Sequence, residues 1–160
     1  MGSVILAVVL SGVSLGETEL LGQGQFLFDA NDVPAGNYVR FIINGDFARG
    51  PDLFVQVFAG RDPASMVPLE PLLALNETGA LAGLPNPSKQ VYEVPGFSEG
   101  TEATVGYVGF KGASLSTATV RGLMNFANAP VTLTEPPAGA KEVSLGGGTL
   151  FRLISPNLAR

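Results

Sequence analysis

The sequence predicts an all-β fold, an antiparallel β-sandwich of about eight to ten short strands with jelly-roll order as the expected form. Three observations carry this. Glycine (21) and proline (12) are spread along the whole chain of 160 residues and cut it into short apolar runs. Those runs are β-branched and aromatic, residue types that suit a pleated, half-buried surface. Nowhere does strand alternate with amphipathic helix, as βαβ units require. One domain over 1–160 is expected, long enough to bury its own core without disulfide or metal staples.

The first apolar run, Val4–Leu10, reads "VILAVVL". A secretory leader needs basic residues ahead of its apolar core, and the first basic side chain is Arg40. Seven residues are also too few for a membrane helix, which takes about 20. With Val4, Ile5, Val8 and Val9 in the run and alternation following at Val13, Ser14 and Leu15, a buried strand is expected, and no membrane span.

Strands are then predicted at Glu19–Phe28, Asn37–Ile43, Leu53–Phe58, Gln90–Val94, Thr104–Phe110, Ala118–Phe126, Pro130–Thr134, Lys141–Leu145 and Thr149–Ile154. Asp29, Asn31, Asp32, Pro34 and Gly36 supply turn chemistry between the second and third. Asn44-Gly45 is the strongest two-residue hairpin signal in the chain. Phe26, Phe28, Phe41, Phe54 and Phe58 recur at even spacing, as one inward face should. Phe47, Phe97 and Phe151 fall near turns, as end plugs or interface anchors. "LGGGTL" is expected to be a loose hairpin tip, and 155–160 a C-terminal tail.

One stretch breaks the pattern. Asp62–Lys89 holds Pro63, Pro68, Pro71, Pro85 and Pro87 around a leucine-rich centre without a period of two. It is read as a long excursion between strands, with one helical turn around Glu70–Leu75. Loops of this length contact a partner or serve function. Its leucines either cap one end of the sandwich or lie against a neighbouring subunit.

Composition excludes much chemistry. The chain has no histidine and no cysteine, which removes Ser-His-Asp triads, thiol nucleophiles and the usual zinc and copper sites. A carboxylate pair is the remaining catalytic option, but Asp29, Asp32, Asp46, Asp52, Asp62, Glu93, Glu99 and Glu102 fall at turns, where any β domain places acids. Tryptophan is absent, and Tyr38, Tyr92 and Tyr107 lie inside predicted strands, so an aromatic sugar platform is not expected. "DANDV" lacks the glycine and terminal glutamate of a calcium loop, and an Asx turn accounts for it. The glycine clusters match no phosphate-binding pattern. Asn76-Glu-Thr fits a glycosylation acceptor only by pattern. No enzyme activity, metal or cofactor is expected. The net charge of −5, with nine scattered basic residues, argues against nucleic acid.

Charged residues make up only 14% of the chain and apolar ones 46%, against about a quarter charged in an ordinary soluble domain. So thin a polar coat implies surface covered by other subunits. Many short strands, a long Pro/Leu-rich excursion and an apolar N-terminus together resemble the small virion subunits built on a single jelly roll or related β-sandwich, the capsid and head-decoration proteins of phages. The resemblance is architectural, spans Val4 to Ile154 and carries no functional residues with it. It implies a non-enzymatic structural subunit in the virion that associates with itself and with a second virion protein. Met66, Leu69, Leu72, Leu73, Leu84 and Phe151 are the expected interface anchors. The alternative is a carbohydrate- or ligand-binding module at an extracellular surface, with its site in the loops Asp29–Asn37 and Asn44–Asp52.

Overall fold

The computed structural model describes residues 23–32, 37–134, 141–143, 145 and 149–153. The strand expected at Val4–Leu10, the loose hairpin tip and the C-terminal tail lie outside them. Among the described residues the fold is all-β, as expected, and contains no α-helix.

Fourteen strand segments follow one another: β1 (Gln23–Asp29), β2 (Asn31–Asp32), β3 (Asn37–Ile43), β4 (Asp46–Phe47), β5 (Leu53–Gly60), β6 (Val67–Leu75), β7 (Pro85–Asn86), β8 (Lys89–Ser98), β9 (Glu102–Lys111), β10 (Val120–Arg121), β11 (Asn125–Phe126), β12 (Val131–Thr132), β13 (Lys141–Glu142) and β14 (Thr149–Leu153). They form three sheets. The largest runs β10-β9-β5-β6-β7, with β11 and β12 continuing β10 along the same edge of β9, and it curls into half a barrel. A three-stranded sheet runs β13-β1-β8, and a four-stranded one β14-β3-β2 with β4 also on β3. The sheets are antiparallel apart from two pairings, β1 with β13 and β3 with β14, which are parallel.

The backbone of the fold is the ladder between β5 and β9, eight uninterrupted pairs from Leu53↔Lys111 to Gly60↔Thr104. Val55, Val57 and Ala59 on β5 and Ala103, Val105 and Tyr107 on β9 face the core. There they meet an aromatic group: Phe28 edge-on to Tyr107 at 5.5 Å, and Phe26 tilted against Tyr92 at 5.8 Å. Such pairs contribute about 0.5–1.5 kcal/mol each beyond their buried area. Asp29, at the end of β1, is not the turn residue expected. Its side chain is 1% exposed and its carboxylate meets the Lys89 ammonium at 2.6 Å.

The expected excursion over Asp62–Lys89 is corrected by the structure. Val67–Leu75 is strand β6, antiparallel to β5, and no helical turn forms at Glu70–Leu75. The period of two is lost because the register jumps: Val57 pairs Leu69 but Val55 pairs Leu73, so three residues of β6 oppose Gln56 alone. Glu70, Pro71 and Leu72 are thereby pushed out of the ladder. Gln56, 7% exposed, fills the gap by donating Nε2–H to the Leu69 carbonyl at 2.6 Å. From the other side the Tyr92 hydroxyl donates to the Pro71 carbonyl at 2.8 Å and ties β8 to β6.

The chain between β6 and β7 closes onto β3. Phe41 N–H donates to the Gly83 carbonyl, and Arg40 donates from Nε to Ala82 and from Nη2 to Ala80, at 2.8–2.9 Å. The Arg40 guanidinium lies 3.2 Å from the centroid of the Phe47 ring, which explains that ring's place at a turn. Burial lowers the Arg40 pKa from its ordinary value, but a guanidinium keeps its proton throughout the range in which proteins fold. Phe47 is brought over Arg40 by the predicted hairpin: Asn44 and Gly45 both take positive φ, 54° and 92°, as a two-residue turn of this kind demands.

Gly83 has φ +78°, and a Cβ there would lie 2.5 Å from the Phe41 carbonyl oxygen. Gly83→Ala therefore costs about 2–4 kcal/mol in denaturant unfolding, from backbone strain plus a backbone clash. Gly45→Ala has positive φ but open space around it, and costs about 1 kcal/mol. A second outcome concerns alkali. Burial, with the Glu70 charge adding at Tyr92, pushes the Tyr92 phenol well above its ordinary value, and burial alone does so at Tyr107. The unfolded chain then releases these protons first, so their contribution to stability is intact below about pH 10 and lost as pH rises beyond it. Tyrosinate absorbance from these two residues should appear together with unfolding, and Tyr92→Phe should lower stability by about 1 kcal/mol at neutral pH.

Candidate functional site

A strand pair that is apolar on both faces must be covered twice. On the face of β5 and β9 away from the core lie Phe54, Phe58, Val108 and Phe110, in register as Phe54↔Phe110 and Gln56↔Val108. Phe54 and Phe58 thus point opposite to Val55 and Val57, which corrects the single inward face expected of the phenylalanines. The Phe54 and Phe110 rings meet at 5.9 Å, and Phe110 is fully buried.

One half of this outer face is partly closed by the turn from Ser114 to Thr117. Ser114, Leu115 and Ser116 wall a trough of about 450 Å³ whose other lining residues are Gln56, Phe58, Pro68 and Arg121. Ser114 holds the turn by accepting the Thr117 N–H at 3.3 Å and sharing hydroxyl contacts with Ser116 and Thr117.

The other half centres on Gly106. A Cβ there would lie 2.9 Å from the Met124 sulfur and 3.2 Å from Met66 Cε, so two methionines reach over the glycine from opposite sides. Phe126 pairs with Gly106, Gly106 with Phe58, and Phe58 with Pro68, which sets these residues in one row across four strands on the same face. Phe126 is 45% exposed and Leu123, next to Met124, is 76% exposed. The result is a solvent-facing apolar surface rich in methionine, whose flexible thioethers adapt to whatever packs on them.

Of the six anchors expected from the sequence, Met66 stands on this surface. Leu69, Leu73 and Leu84 are 3%, 0% and 4% exposed and are committed to the chain's own interior. Leu72 is half-buried on β6. Phe151 lies in β14, paired with Phe41, and its side chain is outside the described residues. The loop alternative fares differently. Asn44–Asp52 is occupied by the β3–β4 turn and the Phe47–Arg40 contact, and Asp29 is turned inward. Asn76 of the Asn-Glu-Thr tripeptide is half-buried and donates Nδ2–H to the Leu84 carbonyl at 2.9 Å. Leu123, Met124 and Phe126 were missed because Ala118–Phe126 reads as one strand, whereas it holds two short ones, β10 and β11. The available signal was Gly106 itself, since a glycine inside an apolar strand marks a close approach.

A second concavity, of about 500 Å³, lies between β6 and β8, lined by Gln23, Pro68, Glu70, Pro71, Val91, Glu93 and Pro95 among others. Its strand edges are blunted. Pro68, Pro71 and Pro95 have no N–H, the Leu72 N–H is taken by Glu70 Oε2 at 3.1 Å, and the Val91 carbonyl by Gln90 Nε2 at 2.9 Å. Among the described residues no group of three or more Asp and Glu side chains is placed to hold a metal ion, and no helix is long and apolar enough to cross a membrane. Comparison with protein-family models, with curated proteins and with solved structures found no match to the chain.

The division between interior and surface leucines is measurable. Leu73→Ala, which empties a fully buried site, should lower unfolding free energy by about 2–5 kcal/mol. Leu123→Ser, at a site 76% exposed, should change it by less than about 0.5 kcal/mol.

Proposed function

We propose that this chain is a non-enzymatic structural subunit that assembles with copies of itself, of the kind that serves as a capsid or capsid-decoration component of virions with a jelly-roll or related sandwich. The observation that carries the reading is the exposed apolar surface around Gly106. Met66, Met124, Phe126, Phe58 and Pro68 cluster on one sheet face of a chain only 14% charged, and the exposed Leu123 adjoins Met124 in the chain. Scattered exposed apolar side chains are ordinary, but a contiguous group on the outside of a sheet marks a contact surface. A stable contact needs about 800 Å² from each partner, and a sheet face several strands wide supplies area of that order. The role as a virion component, alone or on a second virion protein, draws on the architectural resemblance.

The trough beside that surface favours a second reading, a ligand-binding module. Gln56, Ser114, Ser116 and Arg121 converge there on an aromatic wall, Phe58, which is the composition of a small-molecule site.

Light scattering on a size-exclusion column across a tenfold concentration range tests the first reading. The expected result is an oligomer that the double variant Leu123→Asp, Phe126→Asp shifts towards the 16.5 kDa monomer. A monomer at every concentration overturns self-assembly and leaves the trough as the functional feature. An oligomer indifferent to the double variant places its interface elsewhere.

A further inference from the structure

Resting on the self-assembly reading, we propose that two copies pack outer face to outer face about a two-fold axis crossing the strands at Gly106, so that Arg121 of each copy meets Glu102 of the other. The register supplies the geometry. On β9 the residues facing outward are Glu102, Thr104, Gly106, Val108 and Phe110, because Ala103, Val105 and Tyr107 face the core. Glu102 and Phe110 stand four residues to either side of Gly106, about 14 Å each way at the rise of an antiparallel strand. Arg121 is the cross-strand partner of Phe110. The outer face therefore carries a cation at one end, an anion at the other, and between them Thr104, Gly106, Val108, Gln56, Phe58 and Phe126, none of them charged.

Such a face is complementary to itself when turned end for end. Two sheets in contact lie about 10 Å apart with their strands within about 30° of alignment. A two-fold axis lying between them along the row Phe126–Gly106–Phe58–Pro68 reverses the strand direction and keeps the position across the sheet. It sets that row, exposed at Phe126 and Pro68 and covered by Met66 and Met124 at Gly106, against its own copy, as an isologous contact requires near its axis. It also carries Arg121 to the Glu102 end of the partner, one strand spacing to the side, within reach of the two long side chains. The opposite arrangement, with strands running the same way, would stack arginine on arginine and glutamate on glutamate. Like-charge juxtaposition costs enough to select between two otherwise similar packings. Neither Arg121 nor Glu102 has an ion-pair partner among the described residues, so both are available to a second copy. Gly106 keeps the centre low, and the Met66 and Met124 side chains over it can reshape against their counterparts.

Charge reversal tests this without touching the interior, since both side chains are exposed. Sedimentation velocity at several concentrations would be run on the wild type, Arg121→Glu, Glu102→Arg and the double reversal, with circular dichroism as the check of folding. Each single reversal should weaken dimerisation about tenfold or more, and the double reversal should bring it back to within about threefold of wild type, an effect that shrinks at high salt. Single variants that dimerise like wild type overturn the arrangement and leave self-assembly standing. So do weakened singles that the double reversal fails to rescue. A wild type that is monomeric throughout overturns the arrangement and the self-assembly reading together.

Discussion

The β5–β9 ladder governs this molecule because both of its faces are apolar. Eight consecutive pairs hold the two strands together, and neither side of the resulting ribbon can be left to water. The inner side is closed by β1, β3 and β8, whose Phe26, Phe28, Phe41 and Tyr92 fill the core. Among the described residues the outer side carries the Ser114–Thr117 turn and two methionines. Each further feature of the sheet follows from that need for cover. Gly106 lets the methionines lie close to the strand, and Gly60 lets the Ser65–Met66 backbone pass so near that a Cβ would stand 2.6 Å from Met66 Cα.

The polar contacts that remain serve to join the sheets. Arg40 spends its donors on two loop carbonyls and its flat face on Phe47, so one side chain fixes the β3–β4 hairpin and the 79–84 segment at once. Tyr92 does the same between β8 and β6, its ring in the aromatic core and its hydroxyl on the Pro71 carbonyl. Asp29 and Lys89 tie the end of β1 to the start of β8. These links run between residues far apart in the chain, where no repeating pattern announces them.

That separation explains what the sequence disclosed. Asn37–Ile43 was legible to the residue as β3, because β-branched and aromatic residues end at an Asn-Gly turn. β5 and β9 were legible as strands, since short runs rich in valine and aromatic residues admit little else. Which of their faces pointed inward was not, because both faces are apolar and parity carries no information. β6 was hidden by its own irregularity: with Glu70, Pro71 and Leu72 outside the ladder, neither half is long enough to show alternation. Its leucines consequently read as a loop cluster, either an end cap or a contact, whereas Leu69 and Leu73 are strand residues in the core. The parallel pairings of β13 and β14 join distant segments and leave no local trace.

The blunted edges beside the β6–β8 concavity close one route of association to these strands. A bare strand edge recruits another strand, which presents a fresh edge in turn, and the process has no natural end. Prolines without N–H groups and side chains folded onto their own backbone close that route along these two strands. Contact through a sheet face has the opposite arithmetic, because a self-matching face is used up when two copies meet. At these strands the chain is built against the fibre, whatever its exposed apolar surface meets.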